Sequence, residues 1–167
     1  PSPVPLDGDR LLLTAGYGAG SVIVKIEAGG AGYAVRIVER IPKDRFACEP
    51  QTPIYFGGHL YGILPKDAGD LRAQLVCFHP EKGVVWSSGK TERFGLGPFI
   101  VARDQLILLN DDGTLITAAA SPEGFRPILR AKILDGRDAW APIAIAADRI
   151  LLRDSHRLVC LVANGGN

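Results

Sequence analysis

The chain has 167 residues, 47% of them hydrophobic, and a formal net charge of +1. That length supports a solid core, and the apolar content excludes disorder. The charge is too small to gather nucleic acid or an anionic membrane, and no apolar run approaches the roughly 18 residues that cross a bilayer. No signal peptide is visible. The chain begins at Pro1 and contains no Met, as expected of a processed protein or a piece of a longer one.

One pattern comes round four times: a proline, an apolar strand, a polar turn, then a second apolar run. The copies begin at Pro3 (PVPLDGDRLLL), Pro53 (PIYFGGHLYGI), Pro98 (PFIVARDQLILL) and Pro142 (PIAIAADRILL). The prolines are spaced by 50, 45 and 44 residues. A third apolar run follows each time, at Val22–Ile26, Leu75–Phe78, Leu115–Ala118 and Leu158–Leu161. Three copies add a fourth segment, at Ala34–Val38, Val84–Trp86 and around Ile128–Leu129. The fourth copy reaches Asn167 without one.

A period of this size, built from short strands, predicts an all-β fold of β-propeller type. The expected architecture is one partial-ring domain over residues 1–167, with four consecutive four-stranded antiparallel blades. The blades fall at about 2–48, 51–92, 97–134 and 140–163, the last lacking its outer strand. Proline at each strand start is tolerated, because the missing N–H lies outside the ladder. Asp7-Gly8, Gly57-Gly58 and Asn110-Asp111-Asp112-Gly113 read as hairpin turns, and Ser121-Pro122-Glu123-Gly124 ends the alanine run before it as a turn. The expected core is Leu11, Leu13, Ile54, Phe99, Ile100, Leu106, Leu108, Ile143, Ile150 and Leu152. Cys77 and Cys160 occupy equivalent places and read as small buried apolar groups. No Cys-x-x-Cys occurs, which argues against a zinc ribbon.

The copies resemble the quinoprotein-type repeat, the propeller unit named for pyrroloquinoline-quinone dehydrogenases. Pro98-Phe99-Ile100-Val101 through Asp112-Gly113-Thr114-Leu115 follows the first half of that repeat. Leu75-Val76-Cys77-Phe78 through Val84-Val85-Trp86 follows the second half, and the likeness extends over essentially the whole chain. In the family, an Asp and a Thr help to lock neighbouring blades to the tryptophan. Here His79 and Lys82 stand in those places, and Trp86 comes one residue early. Family dehydrogenases also need a calcium-bound quinone and often a vicinal disulfide. No Cys-Cys pair is present, and no oxygen-rich calcium cluster can be placed. The resemblance therefore implies the fold without the redox chemistry, and an extracytoplasmic or periplasmic location.

Several motifs are more economically read as structure. Gly16-Tyr17-Gly18-Ala19-Gly20 is followed by a strand-like run, where a dinucleotide site needs a helix, so it reads as a hairpin loop. Asn110, Asp111 and Asp112 lack the distant Glu of a calcium loop. His59, His79 and His156 fall in separate turns without ligand spacing. The segments entering each new blade are different. They carry Arg45-Phe46, Arg93-Phe94, and Arg137 with Trp140, which either tie blades together through backbone carbonyls and carboxylates such as Asp138 or form a recognition surface, where such residues dominate. The enlarged loops containing Tyr17 and Lys66-Asp67-Ala68-Gly69-Asp70 are expected on the same top face, where function concentrates on rigid scaffolds.

The expected function is a non-catalytic scaffold that binds a protein or peptide through these residues, with no catalytic residue, metal or cofactor. The remaining blades or a second copy are expected partners. One alternative is a fragment of a quinone-dependent dehydrogenase or other propeller enzyme, whose quinone, calcium and catalytic groups would lie outside this chain. Another is a structural accessory subunit of a larger assembly.

Overall fold

The computed structural model describes residues 1–30 and 32–162. They form fifteen strands and one 3-10 turn at Gly69–Leu71. The first sheet comprises β1 (Val4–Pro5), β2 (Arg10–Ala15), β3 (Gly20–Gly29) and β4 (Gly32–Ile41). The second comprises β5 (Ile54–Phe56), β6 (His59–Ile63), β7 (Leu75–His79) and β8 (Gly83–Ser87). The third comprises β9 (Phe99–Ala102), β10 (Gln105–Leu109), β11 (Thr114–Ala119) and β12 (Pro127–Lys132). Three strands, β13 (Ala144–Ala146), β14 (Arg149–Arg153) and β15 (Leu158–Val162), make the fourth. In every sheet, neighbours in sequence are antiparallel neighbours in space. The expected end of the last blade, at 163, lies outside the described residues. Among the described residues no helix is long and apolar enough to cross a membrane.

The turns close as their residues dictate. Leu109 pairs with Leu115, and Gly113 N–H donates to Asn110 O at 2.8 Å. Gly113 sits at φ 83°, a conformation that costs a side-chain-bearing residue. Phe56 pairs with His59 around Gly57-Gly58. Pro3, Pro53 and Pro98 each precede a strand directly.

The chain clusters into two compact units: residues 1–93 with 121–124, and residues 94–120 with 125–167. In the first unit, Val4, Leu12, Ile23 and Ile41 of one sheet meet Leu60, Val76 and Phe78 of the next, with Phe46 and Cys48 of the link between them. In the second, Ile107, Leu109 and Leu115 pack with Leu134, Ala139, Ile143 and Leu152. β7 from Leu75 to Phe78 and β10 from Leu106 to Leu109 are buried at every position. Strands covered on both faces read as continuous apolar runs, as these do.

Two expectations about burial need correction. Leu13 is exposed at 38% while Leu12 is fully buried. Successive side chains of a strand point to opposite faces, and the inward phase of β2 falls on Leu12. Cys160 is exposed while Cys77 is buried. Equivalent sequence places do not carry equivalent cover, because one face of the fourth sheet is open, with Leu158 at 67% exposure.

Each four-stranded sheet has a bulge between its third and fourth strands. The register slips between Ile23 and Val24, between Cys77 and Phe78, and between Thr117 and Ala118. The extra residues are Val38, Val85 and Ile128, all exposed. A bulge adds one residue, bends the strand and raises its twist.

Candidate functional site

In the first unit a cavity of about 510 Å³ opens between the end of β4 and the turn joining β7 to β8. Its walls carry Glu39, Asp44, Arg45, Glu81 and Lys82, and Phe78 contributes an apolar surface. The Pro42 carbonyl accepts hydrogen bonds from the N–H groups of Arg45 (2.9 Å) and Phe46 (3.1 Å). That tight turn points the arginine outward and the phenylalanine inward. Glu81 also pairs with Arg10 at 3.6 Å.

A second cavity of the first unit, about 450 Å³, is lined by Lys66, Arg72, Ala73 and Arg93. Arg93 Nη1 donates to the Arg72 carbonyl at 2.7 Å. In the second unit a cavity of about 410 Å³ lies between the Asn110–Gly113 turn and the 136–140 link. It holds Asp111, Asp112, Arg137, Asp138 and Trp140. Asn110 Oδ1 organises the turn, accepting from Gly95 N at 3.0 Å and Asp111 N at 2.9 Å. Asp112 Oδ1 accepts from Thr114 N at 2.8 Å. The Arg137 carbonyl accepts from Ser155 N and Oγ, both at 3.1 Å, so its backbone is held while its side chain is exposed.

All three arginines singled out in the sequence thus line open cavities. Trp140 is 46% exposed and Tyr17 96%. Phe46 and Phe94, expected to flank the arginines as recognition groups, are instead core residues. Phe46 is fully buried with its ring centroid 5.0 Å from that of Phe78, and Phe94 packs edge-on to Phe125 at 5.8 Å. An aromatic ring removes so much apolar area from water that the link folds to bury it. Asp67 is paired with Lys43 at 3.1 Å, and Asp70 with Lys90 at 3.4 Å.

The register assembles one group that spacing hid. His59 and His79 face one another across β6 and β7, with ring centroids 5.2 Å apart. His59 Nδ1 lies 2.8 Å from Gly57 O, while His79 Nδ1 accepts from Glu81 N at 3.1 Å. Their contact corrects the expectation of isolated histidines: twenty residues of sequence separate them, and a hairpin closes the gap. Among the described residues no three His, Cys, Asp or Glu side chains converge as metal ligands. Burial pushes the Cys77 thiol up to about 11 and raises Cys48 further. Both are thiols rather than nucleophilic thiolates at neutral pH.

Trp86 Nε1 donates to the Ser121 carbonyl at 2.9 Å, and its ring lies 6.0 Å from that of Tyr61. The tryptophan that marks the second-half motif therefore acts as a structural anchor.

No family model matches the chain, and no curated protein matches it. Solved structures do. AztD of Citrobacter koseri aligns with a TM-score of 0.57 at 15% identity, over 95% of this chain and 42% of that one. Apo AztD of the same organism gives 0.56 at 16% identity, over 93% and 42%. The computationally designed Ika4 protein gives 0.55 at 7% identity, over 94% of this chain and 87% of its own. This chain spans less than half the length of AztD. At such identities the likeness is one of fold.

Proposed function

We propose that the four sheets are consecutive blades of a partial propeller with quinoprotein-like repeats, and that the chain is a scaffold binding a protein or peptide. The observation that carries this reading is the place of the link arginines. Arg45, Arg93 and Arg137 each lie at an open cavity, Arg45 and Arg137 on a backbone braced by hydrogen bonds and Arg93 tied by its side chain to the Arg72 carbonyl. Rigid links presenting arginine beside a groove suit recognition, because little order remains to be imposed on binding. Trp140 adds an aromatic anchor at the third cavity, and Tyr17 and the Lys66–Asp70 loop extend the binding set. The meander order and the recurrent bulge support the blade reading.

The test uses the chain as bait in its native extract, scored for one partner retained at fixed ratio. Arg45→Glu and Arg137→Glu, each checked for native circular dichroism, should each reduce retention at least tenfold. Equal retention by both variants would remove the arginines from the function. The dehydrogenase alternative predicts turnover of an alcohol or sugar when pyrroloquinoline quinone, calcium and an electron acceptor are supplied. The scaffold predicts none.

A further inference from the structure

The hairpin of β3 and β4 is longer than its counterparts. Each of its strands has ten residues, where β7 and β8 have five and β11 and β12 have six. β2 pairs with β3 only from Gly20 to Lys25, and Ile26 N donates to the Asp9 carbonyl at 2.9 Å. Beyond that point Glu27, Ala28 and Gly29 pair only with Ala34, Tyr33 and Gly32. The hairpin therefore runs past its sheet as a two-stranded ribbon, by about 10 Å. Such a ribbon is marginally stable in water by itself.

The ribbon has two unlike faces. Lys25, Glu27 and Arg36 share one, where Glu27 lies 3.6 Å from Lys25 and 3.3 Å from Arg36. The other carries Ile26, Ala28, Tyr33, Val35 and Ile37, with the three β4 side chains in water. β4 also ends its sheet, so its outer edge has no strand partner. That edge is not blunted. β12 begins with Pro127 and ends with Lys132, residue types that discourage pairing, whereas β4 contains neither Pro nor Lys. The stretch from Gly32 to Ile37 also precedes the bulge at Val38.

The order of residues says what fits there. Apolar side chains at 33, 35 and 37 are symmetric about Val35, and an isologous contact requires a self-complementary surface. Antiparallel pairing of two copies about Val35 sets Val35 against Val35 of the second copy, and Tyr33 against its Ile37. Apolar cross-strand pairs of this kind stabilise a sheet. On the other face Ala34 meets Arg36 of the second copy, a small residue beside a long one, while each Arg36 keeps its own Glu27. A register centred on Arg36 would oppose two like charges, which is destabilising. One centred on Ile37 would set Val35 against Glu39, and one centred on Ala34 would leave Ile37 at the hairpin's tip.

We propose that the β3–β4 arm is a self-association surface, through which two copies of this chain join β4 to β4, antiparallel about Val35, into one continuous sheet. Crosslinking reads that register directly. The exposed Cys160 is first replaced by Ser. In that background Val35→Cys should oxidise to a covalent dimer, because opposed Cα atoms of an antiparallel pair lie about 4.5–5.5 Å apart, within disulfide reach. Tyr33→Cys alone should not, although Tyr33 is the more exposed residue, at 82% against 66%. Tyr33→Cys combined with Ile37→Cys should crosslink again. In sedimentation equilibrium, Val35→Lys should weaken the dimer at least tenfold, and Leu158→Lys on β15 should leave it unchanged. Native circular dichroism checks the fold of each variant. A wild type that stays monomeric up to its solubility limit would overturn the proposal. So would equal crosslinking at positions 33 and 35, or a dimer that Val35→Lys leaves intact or Leu158→Lys breaks equally.

Discussion

Leu12 and Leu13 are adjacent in β2, yet one is sealed and the other is 38% exposed. A single residue of strand phase makes that difference, so their substitution costs should differ sharply. Leu106→Ala, at another fully buried position, should destabilise by about 2–5 kcal/mol. Leu13→Ala should stay within roughly 0.5 kcal/mol of wild type. Chemical denaturation of both variants checks the assignment. Asp154 allows a pH test at the same scale. It is 3% exposed, and its carboxylate accepts from the backbone N–H groups of His156 at 2.8 Å and Arg157 at 2.7 Å. These bonds hold its pKa below the ordinary 3.8. A depressed carboxylate contributes stability that is complete above the unfolded value and lost as pH falls through the folded one. Asp154→Asn should therefore lose part of the acid-side fall in stability that wild type shows below pH 3.8. Parallel melting curves would refute this.

Among elements, the Asn110–Gly113 turn has a demanding geometry. Gly113 lies at φ 83°, and a Cβ there would overlap the Leu134 carbonyl. Its own carbonyl accepts from Ile133 and Leu134 N–H, both at 3.1 Å, so the turn cannot move away freely. Gly113→Ala should cost about 1–3 kcal/mol in backbone strain and more from the overlap. Gly8 has a similar φ of 75° but open space around it. Gly8→Ala should therefore be the milder change, and equal midpoints in urea would contradict the packing. The recurrent bulge is also a property of elements. It places Val38, Val85 and Ile128 outward where a regular ladder would have turned the strand phase.

For the whole molecule, the exposed apolar surface leads to a prediction about association. In the first unit β4 leaves Tyr33, Val35 and Ile37 in water, and in the second β13 and β15 leave Ile145, Leu158 and Val162. Contiguous apolar surface and open strand edges pair with other chains unless they are blunted. The 17.8 kDa chain should scatter light as a dimer or larger species at micromolar concentration. A monomer with cooperative unfolding would show that these surfaces are stable in water.

The strands and their order were legible in the chain, because the signals are local. Proline, alternating or continuous apolar runs and turn residues act within a few positions, and they recur at Pro3, Pro53, Pro98 and Pro142. Arg45, Arg93 and Arg137 were legible for the same reason, since each recurs in a link. What the sequence could not reveal depends on non-local packing. The inward phase of β2 is set by the sheet it packs on. Phe46 is buried because Phe78, 32 residues on, lies beneath it. Gly62 of β6 is bare so that Cys48 and Phe46 can lie across it. His59 meets His79 through register, and Arg72 joins Lys66 and Arg93 through the fold of a loop. Local propensity determines which segments become strands, whereas burial and charge depend on neighbours that only the folded chain brings together.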